Sequence, residues 1–486
     1  MHMSRRDILL AGSAVVAAGA LPNLATADSK SAASPQSAVR ELPITATSRP
    51  FMSALPVLEG YTEREFSFAG EATLYDLADL PTWTLRRVES RPFLTRLLAR
   101  RPVDPKRFNG TVVIDWLNVT MGFDLDGEWL TQGDALMEQG FAYVGVTVQR
   151  AGALNLVKWN PERYAGVHID DDGFSYEIYS QTARLVRERA GDVLGDLPVK
   201  HVLAAGASQS AWRLTSYANA FHPRDRAFDG FLLRGRGRGG TPIRGEGIVN
   251  GPYPAPIRND LGVPMLMVQN EGDLLALKSI YDRQPDTNTL RVWEIAGSAH
   301  GGVESTAAVQ QRAQQNNVVI PGAASAAGKH PNVIRTKVVG AMAYRQIHRW
   351  ISTGQPASAV PRLELTRDPG PAPSAQDFMK LDLSLIARDE FGNARGGLRL
   401  PDIDAPVGTL VAATQENLLG GEFKPFDAAT LAKLYPTHED YVRAVTKSAR
   451  HAAAVGYIDE STAKRYVEEA KTSRVPQELP PYAQIV

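Results

Sequence analysis

The chain has 486 residues, 43% of them apolar, enough to bury one large core or two domains. Lys plus Arg and Asp plus Glu balance at 53 each, so net charge gives no reason to expect nucleic acid or an anionic membrane surface as a partner, and small ligands remain. Cysteine is absent, which excludes disulfides, thiolate metal sites and cysteine nucleophiles together and suits an oxidising compartment.

The chain opens with Ser4-Arg5-Arg6-Asp7-Ile8-Leu9-Leu10, then a mild apolar run to Ala20, then Leu24-Ala25-Thr26-Ala27. A twin arginine ahead of a short apolar stretch and an A-x-A end predicts a twin-arginine export signal over residues 1–27, cut after Ala27, and hence a periplasmic or secreted protein. The run is short for a bilayer span and Pro22 interrupts it, so no stable membrane anchor is expected. Residues 28–50, rich in Ser, Ala and Pro, read as a flexible leader.

Residues 63–75 alternate as a strand pair turning at Gly70, and residues 92–100 form another strand candidate. Residues 110–118 are a buried strand, 128–140 a helix stopping at Gly140, and 141–148 a further buried strand, which together predict a right-handed parallel crossover. A helix over 176–189 leads to the strand before Ser208, and apolar runs at 228–233, 264–269 and 290–295 supply later strands. This repeating text predicts an α/β fold, a mostly parallel sheet with helices on both faces and an antiparallel edge at its start. An amphipathic helix over 333–351 covers the sheet, 352–375 reads as a linker, and helix-prone text includes 427–434 and 439–455. The chain thus divides into a catalytic core over 51–360 and a C-terminal extension over 361–486 packed on it.

The organising stretch is Gly206-Ala207-Ser208-Gln209-Ser210, where an apolar run ends and a helical segment (Leu214, Tyr217, Ala218) begins at once. A serine on such a turn is held above the sheet edge beside the first N–H groups of a helix, which suits a nucleophile for acyl transfer. Ser210 stands where the usual G-x-S-x-G pattern has glycine; a small residue suffices there, and its hydroxyl is expected to steady the turn. If Ser208 is the nucleophile, an acid and then a histidine should follow later strands. Asn270-Glu271-Gly272-Asp273 follows one strand and Gly297-Ser298-Ala299-His300-Gly301-Gly302 the next. His300 would carry the proton, with Asp273 as the preferred acid and Glu271 as the alternative. The oxyanion donors expected are the backbone N–H of Gln209 and, from the loop after residue 116, that of Leu117 or Asn118.

Other signals are weaker. Gly235-Arg236-Gly237-Arg238-Gly239-Gly240 has G-x-G-x-x-G spacing, but Thr241-Pro242 follows where a dinucleotide site needs a helix. Arg234, Arg236 and Arg238 could border the pocket and meet an acidic substrate, although a solvated face is the simpler reading. Trp116, Trp159, Trp212 and Tyr253 are candidates for lining an apolar pocket, with sheet packing the simpler role for Trp212. No H-E-x-x-H spacing occurs, and neither a metal nor a cofactor is expected.

The elbow 206–210, the loops Asp115-Trp116-Leu117-Asn118-Val119-Thr120 and Gly297-Ser298-Ala299-His300, and the tail text Gly392-Asn393-Ala394-Arg395-Gly396-Gly397-Leu398-Arg399 resemble the bacterial α/β-hydrolase domain proteins of esterase type. The resemblance runs from about 55 to 475 and includes Lys424-Pro425-Phe426-Asp427-Ala428 and Leu434-Tyr435-Pro436-Thr437-His438. It implies an α/β-hydrolase fold and a serine triad at Ser208, His300 and Asp273. The expected activity is cleavage of a small-molecule carboxylic ester through a Ser208 acyl-enzyme. Acyl transfer, lactone or amide cleavage with the same triad, or a non-catalytic periplasmic binding protein, are the alternatives.

Overall fold

The computed structural model describes residues 38–54, 59–80, 82–245, 255–320, 331–374, 377–378 and 380–484. The predicted export signal and Tyr253 lie outside the described residues. Eleven strands are present among them: β1 (Ala38–Leu42), β2 (Tyr61–Asp79), β3 (Thr84–Pro102), β4 (Thr111–Trp116), β5 (Ala142–Val146), β6 (His201–Ala207), β7 (Gly230–Arg234), β8 (Met265–Asn270), β9 (Leu290–Ile295), β10 (Gly408–Val411) and β11 (Glu422–Pro425). Nine form one sheet in the order β1-β2-β3-β5-β4-β6-β7-β8-β9. β1, β2 and β3 pair antiparallel, β3 pairs antiparallel with β5, and every neighbour from β5 to β9 is parallel.

The main helices are α1 (Gly127–Glu138), α2 (Arg150–Trp159), α3 (Ser175–Glu188), α4 (Gln209–Ser216), α5 (Glu271–Leu275), α6 (Val303–Gln315), α7 (Lys337–Thr353), α8 (Ala428–Leu434), α9 (His438–Ala454) and α10 (Glu460–Thr472). Strand alternation sorts the core into two faces. Val112, Ile114, Val202 and Ala204 pack with Tyr176, Tyr179 and Leu214 of α3 and α4 on one side. Val113, Leu203, Ala205 and Leu266 pack with Leu136 of α1 and with Ala343, Tyr344 and Ile347 of α7 on the other. Parallel strands covered on both faces explain the continuous apolar runs in the sequence.

Three expectations are corrected. Gly70 does not turn the chain, because β2 runs unbroken through it and pairs along its length with β3. A Cβ at Gly70 would lie 2.9 Å from the Phe93 ring on the facing strand, so this glycine makes room for an aromatic side chain. Residues 38–50 are not a flexible leader. β1 pairs with β2, and Arg163 donates to Pro43 O (2.8 Å) and Ser48 Oγ (2.9 Å), which fixes the chain that follows. Residues 352–375 are not a free linker either. Arg362 donates to Val292 O (2.6 Å), Leu363 N–H to Glu294 Oε2 (2.9 Å), and Leu363 bridges to Gly396.

That segment opens the C-terminal extension, which covers the outer edge of β9. Leu398 N–H donates to Glu294 O (2.7 Å) and Ala296 N–H to Leu398 O (3.0 Å), so the edge strand keeps few free backbone groups. Leu398, Leu400, Ile403, Leu410 and Phe423 join the same apolar core as Trp293 and Ile295. Among the described residues no helix is long and apolar enough to cross a membrane.

Candidate active site

Ser208 lies between β6 and α4 with φ 59° and ψ −121°, a strained conformation for a residue with a side chain. Its N–H donates to Arg234 O at 2.8 Å, which holds the turn against the end of β7. α4 begins so close to β6 that a Cβ at Gly206 would lie 2.8 Å from Ser210 Cβ and 3.0 Å from Leu214 Cδ1. Glycine at 206 and a small residue at 210 are two sides of this close approach. The Ser210 hydroxyl is buried without a hydrogen-bond partner, so it does not steady the turn as expected.

His300 reaches the elbow from the loop after β9. Its Nε2 is 3.0 Å from Ser208 Oγ, and its Nδ1 is 2.5 Å from Asp273 Oδ1. Asp273 is fully buried at the third position of α5, in a capping box with Asn270, whose N–H donates to Asp273 Oδ2 at 2.5 Å. Helix start, acid and histidine are therefore fixed by one set of bonds. Gly235 (φ +63°) passes beneath them; a Cβ there would lie 3.2 Å from His300 Cε1 and 3.5 Å from Asp273 Oδ2. The first glycine of the 235–240 string thus serves the approach of the histidine.

Glu271, the alternative acid, faces elsewhere. Its Oε2 accepts from Gly297 N–H at 2.7 Å, and its Oε1 pairs with Arg388 at 2.6 Å. Burial raises its carboxyl above the usual range, and Arg388 and the Gly297 N–H oppose that rise. It ties the acid loop, the histidine loop and the C-terminal extension together.

Of the expected oxyanion donors, the Gln209 N–H lies at the first position of α4, where a helix offers no internal acceptor. Leu117 and Asn118 are corrected. Leu117 N–H donates to Val146 O (3.4 Å) and Asn118 N–H to Leu125 O (3.0 Å), so both are committed within the fold.

The solvated reading fails for Arg234 and Arg236. Arg234 donates to Glu128 Oε2 (2.9 Å) and Thr131 Oγ1 (2.6 Å), and Arg236 is buried on Asp282 (3.0 Å) and Ala255 O (2.9 Å). Arg236 is closed to a substrate, and the Arg234 side chain, 17% exposed, is committed to Glu128 and Thr131. Trp212 packs with its Nε1 on Arg238 O (3.0 Å), Trp116 is core with Nε1 on Gln149 (3.1 Å), and Trp159 bonds Asn316 O (2.9 Å). Asp115, in the motif before the 117–126 loop, is buried against Tyr143 OH (2.8 Å), and burial with the Glu128 charge pushes its carboxyl well up.

Two contributors escaped the sequence reading. Arg388 gives no signal, because its partner is remote in the chain. Gly235 is visible as the glycine immediately after a strand end.

A family profile described as an alpha/beta hydrolase domain matches residues 35–468. No curated protein matches the chain significantly. Among solved structures similar to it are the methylesterase BT1017 (13% identity, 46% of this chain and 45% of that one, TM-score 0.27) and an alpha-beta serine hydrolase homologue from Coxiella burnetii (13%, 46% and 91%, TM-score 0.27). XC6422 from Xanthomonas campestris, described as a serine hydrolase without a lid, shares 12% identity over 51% of this chain and 93% of that one, with TM-score 0.29. The match spans less than half the methylesterase's own length. These loose likenesses add nothing to the profile match, which covers most of the sequence and all three residues gathered at the elbow. On that match, the chain belongs to the alpha/beta-hydrolase domain family.

Proposed function

We propose that the chain is an exported serine hydrolase that cleaves a carboxylic ester through an acyl-enzyme on Ser208. The supporting observation is the continuous polar chain from Ser208 Oγ through His300 to Asp273, with links of 3.0 and 2.5 Å. Ser208 Oγ attacks the ester carbonyl carbon, the carbonyl π pair moves onto oxygen, and the serine proton passes to His300 Nε2. Collapse expels the alkoxide, which takes that proton and leaves as the alcohol. Water then gives a proton to His300 and adds to the acyl carbon, and collapse releases the acid and returns the proton to Ser208. Asp273 keeps Nε2 turned toward Ser208 and stabilises the imidazolium. The Gln209 N–H is one oxyanion donor. The His300 side chain is 14% exposed, which leaves room for substrate and for the deacylating water.

The test is labelling by a serine-directed fluorophosphonate in wild type and Ser208→Ala. Labelling confined to wild type is expected, and a label that persists in the variant overturns the assignment. Export rests on Arg5 and Arg6 ahead of the apolar run. Periplasmic recovery should be lost on replacing both with Lys; unchanged fractionation would contradict the signal.

A further inference from the structure

Ser208 has φ 59° and ψ −121°, backbone values that belong to glycine at the first central position of a tight turn. A side chain there costs the fold free energy, and such a conformation persists only where the surroundings over-determine it. Three successive residues are held from outside the turn. Ala207 O accepts from Asn118 Nδ2 (3.0 Å), Ser208 N–H donates to Arg234 O (2.8 Å), and Gln209 Oε1 accepts from Val119 N–H (3.0 Å). The first and third of these bonds come from adjacent residues of one loop, and they land on the two residues that flank Ser208.

That loop is a firm base. β4 and β6 are parallel neighbours with Asp115 opposite Ala205, so the loop leaving β4 starts level with the elbow leaving β6. Asn118 exchanges both backbone bonds with Leu125 (3.0 and 2.8 Å), and its Oδ1 accepts from Thr120 N–H (2.8 Å). Farther along, Asp124 and Asp126 are ion-paired with buried Arg96 (3.0 Å) and Arg100 (2.6 Å). A loop fixed in this way imposes a position on the elbow through its two bonds.

We infer that Asn118 and Gln209 are positioning residues whose side chains hold Ser208 in its strained conformation; the consequence for turnover rests on the ester-hydrolase reading above. Neither side chain has to touch substrate to do this. Release of either bond lets the turn relax toward ordinary backbone angles, which carries Ser208 Oγ out of line with His300 Nε2, 3.0 Å away in the held state.

The test compares the melting temperatures of Ser208→Gly and Ser208→Ala, because glycine accepts a φ of 59° without strain and alanine does not. In the otherwise wild-type chain, Ser208→Gly is expected to melt about 2 °C above Ser208→Ala. The extra freedom of glycine in the unfolded chain is the same in every background and cancels between them. The gap should fall by half or more when Asn118→Ala or Gln209→Met is added, and either suffices if the other does not fold. Asn109→Ala is the matched control at the other end of β4. Asn109 Nδ2 donates to Gln139 O (2.9 Å) and its Oδ1 accepts from Thr111 N–H (2.8 Å), the same pair of bonds made away from the elbow, so there the gap should stay whole. With Ser208 in place, Asn118→Ala and Gln209→Met should each lower kcat on p-nitrophenyl acetate about 10-fold or more with KM little changed, and Asn109→Ala should leave kcat unchanged. A gap absent from the wild-type background, a gap that stays whole in both elbow variants, or an equal fall in Asn109→Ala overturns the inference. The melting comparison uses no substrate, so it stands apart from the ester-hydrolase reading, whose failure would show as a label that Ser208→Ala retains.

Discussion

The two sides of the elbow are held in different ways. On the side of β4, loop 117–126 is locked by charge from the antiparallel edge of the sheet. Arg96 of β3 pairs with Asp124 (3.0 Å), and Arg100 of β3 pairs with Asp126 (2.6 Å) and with Glu63 of β2 (2.7 Å), every side chain at most 1% exposed. On the histidine side, neutral bonds dominate: Asn332 Nδ2 donates to Gly297 O (2.8 Å) and Gly301 N–H to Leu419 O (2.8 Å). The Arg388–Glu271 ion pair there comes from the C-terminal extension, and the Arg388 side chain is 25% exposed. The difference matches the work each side does in the proposed mechanism. Gln209, whose side chain accepts from Val119 of that loop, offers an N–H that acts by being fixed before charge develops, whereas His300 must take and return a proton twice per turnover.

The largest expected effect separates the two acids of α5. Asp273→Asn should lower kcat about 10⁴-fold, because the amide favours the wrong imidazole tautomer. Glu271→Gln acts only through loop position and should cost at most about 100-fold. A greater loss at Glu271 would reverse their roles; kinetics on one activated ester decides.

Stability should rank the two anchors next. Arg100→Met leaves buried Glu63 without its cation and Asp126 with only Arg312 at 3.8 Å, and should destabilise the fold by about 3–5 kcal/mol in urea unfolding. Arg388→Met strands one carboxylate beside a partly exposed site, and about 2 kcal/mol is expected once solvent screening is allowed for. Equal losses would erase the contrast between the two sides.

The smallest effect arises away from both. Burial, with Arg226 nearby, lowers the His222 imidazole from 6.5 to about 4. The folded chain keeps it neutral while the unfolded chain takes up a proton as pH falls below about 6.5, so stability from this group is whole above that pH and lost as pH falls toward 4. Between pH 7 and pH 5 the loss should be about 2 kcal/mol. In His222→Gln, thermal unfolding should show a shallower acid slope; an unchanged slope would assign acid sensitivity to other groups.

Much of the fold was legible because buried parallel strands write themselves as short apolar runs. Residues 111–116, 201–207, 265–270 and 290–295 all announced their strands in this way. The residues gathered at the elbow were legible for a related reason: Ser208, Asp273 and His300 each sit just past a strand end, so order along the chain carried spatial information. Features that depend on the partner strand were not legible. Gly70 looked like a turn because its facing Phe93 is set by pairing register. β1 hid in a Ser- and Ala-rich stretch because five residues pairing with β2 need no strong pattern of their own. Leu117 and Asn118 looked free because backbone commitment to Val146 and Leu125 is a tertiary property. Arg388 was silent for the same reason, its role existing only where the extension folds back onto α5.

The central claim is that Ser208 carries the acyl group, and trapping that intermediate tests it most directly. The enzyme is mixed with p-nitrophenyl acetate, quenched in acid, and mapped by peptide mass spectrometry while released p-nitrophenol is followed in parallel. The account predicts an acetyl group on the peptide bearing Ser208 and a burst matching the concentration of active sites, both absent in Ser208→Ala. An acetyl group on another residue, or a burst that survives in Ser208→Ala, would contradict it.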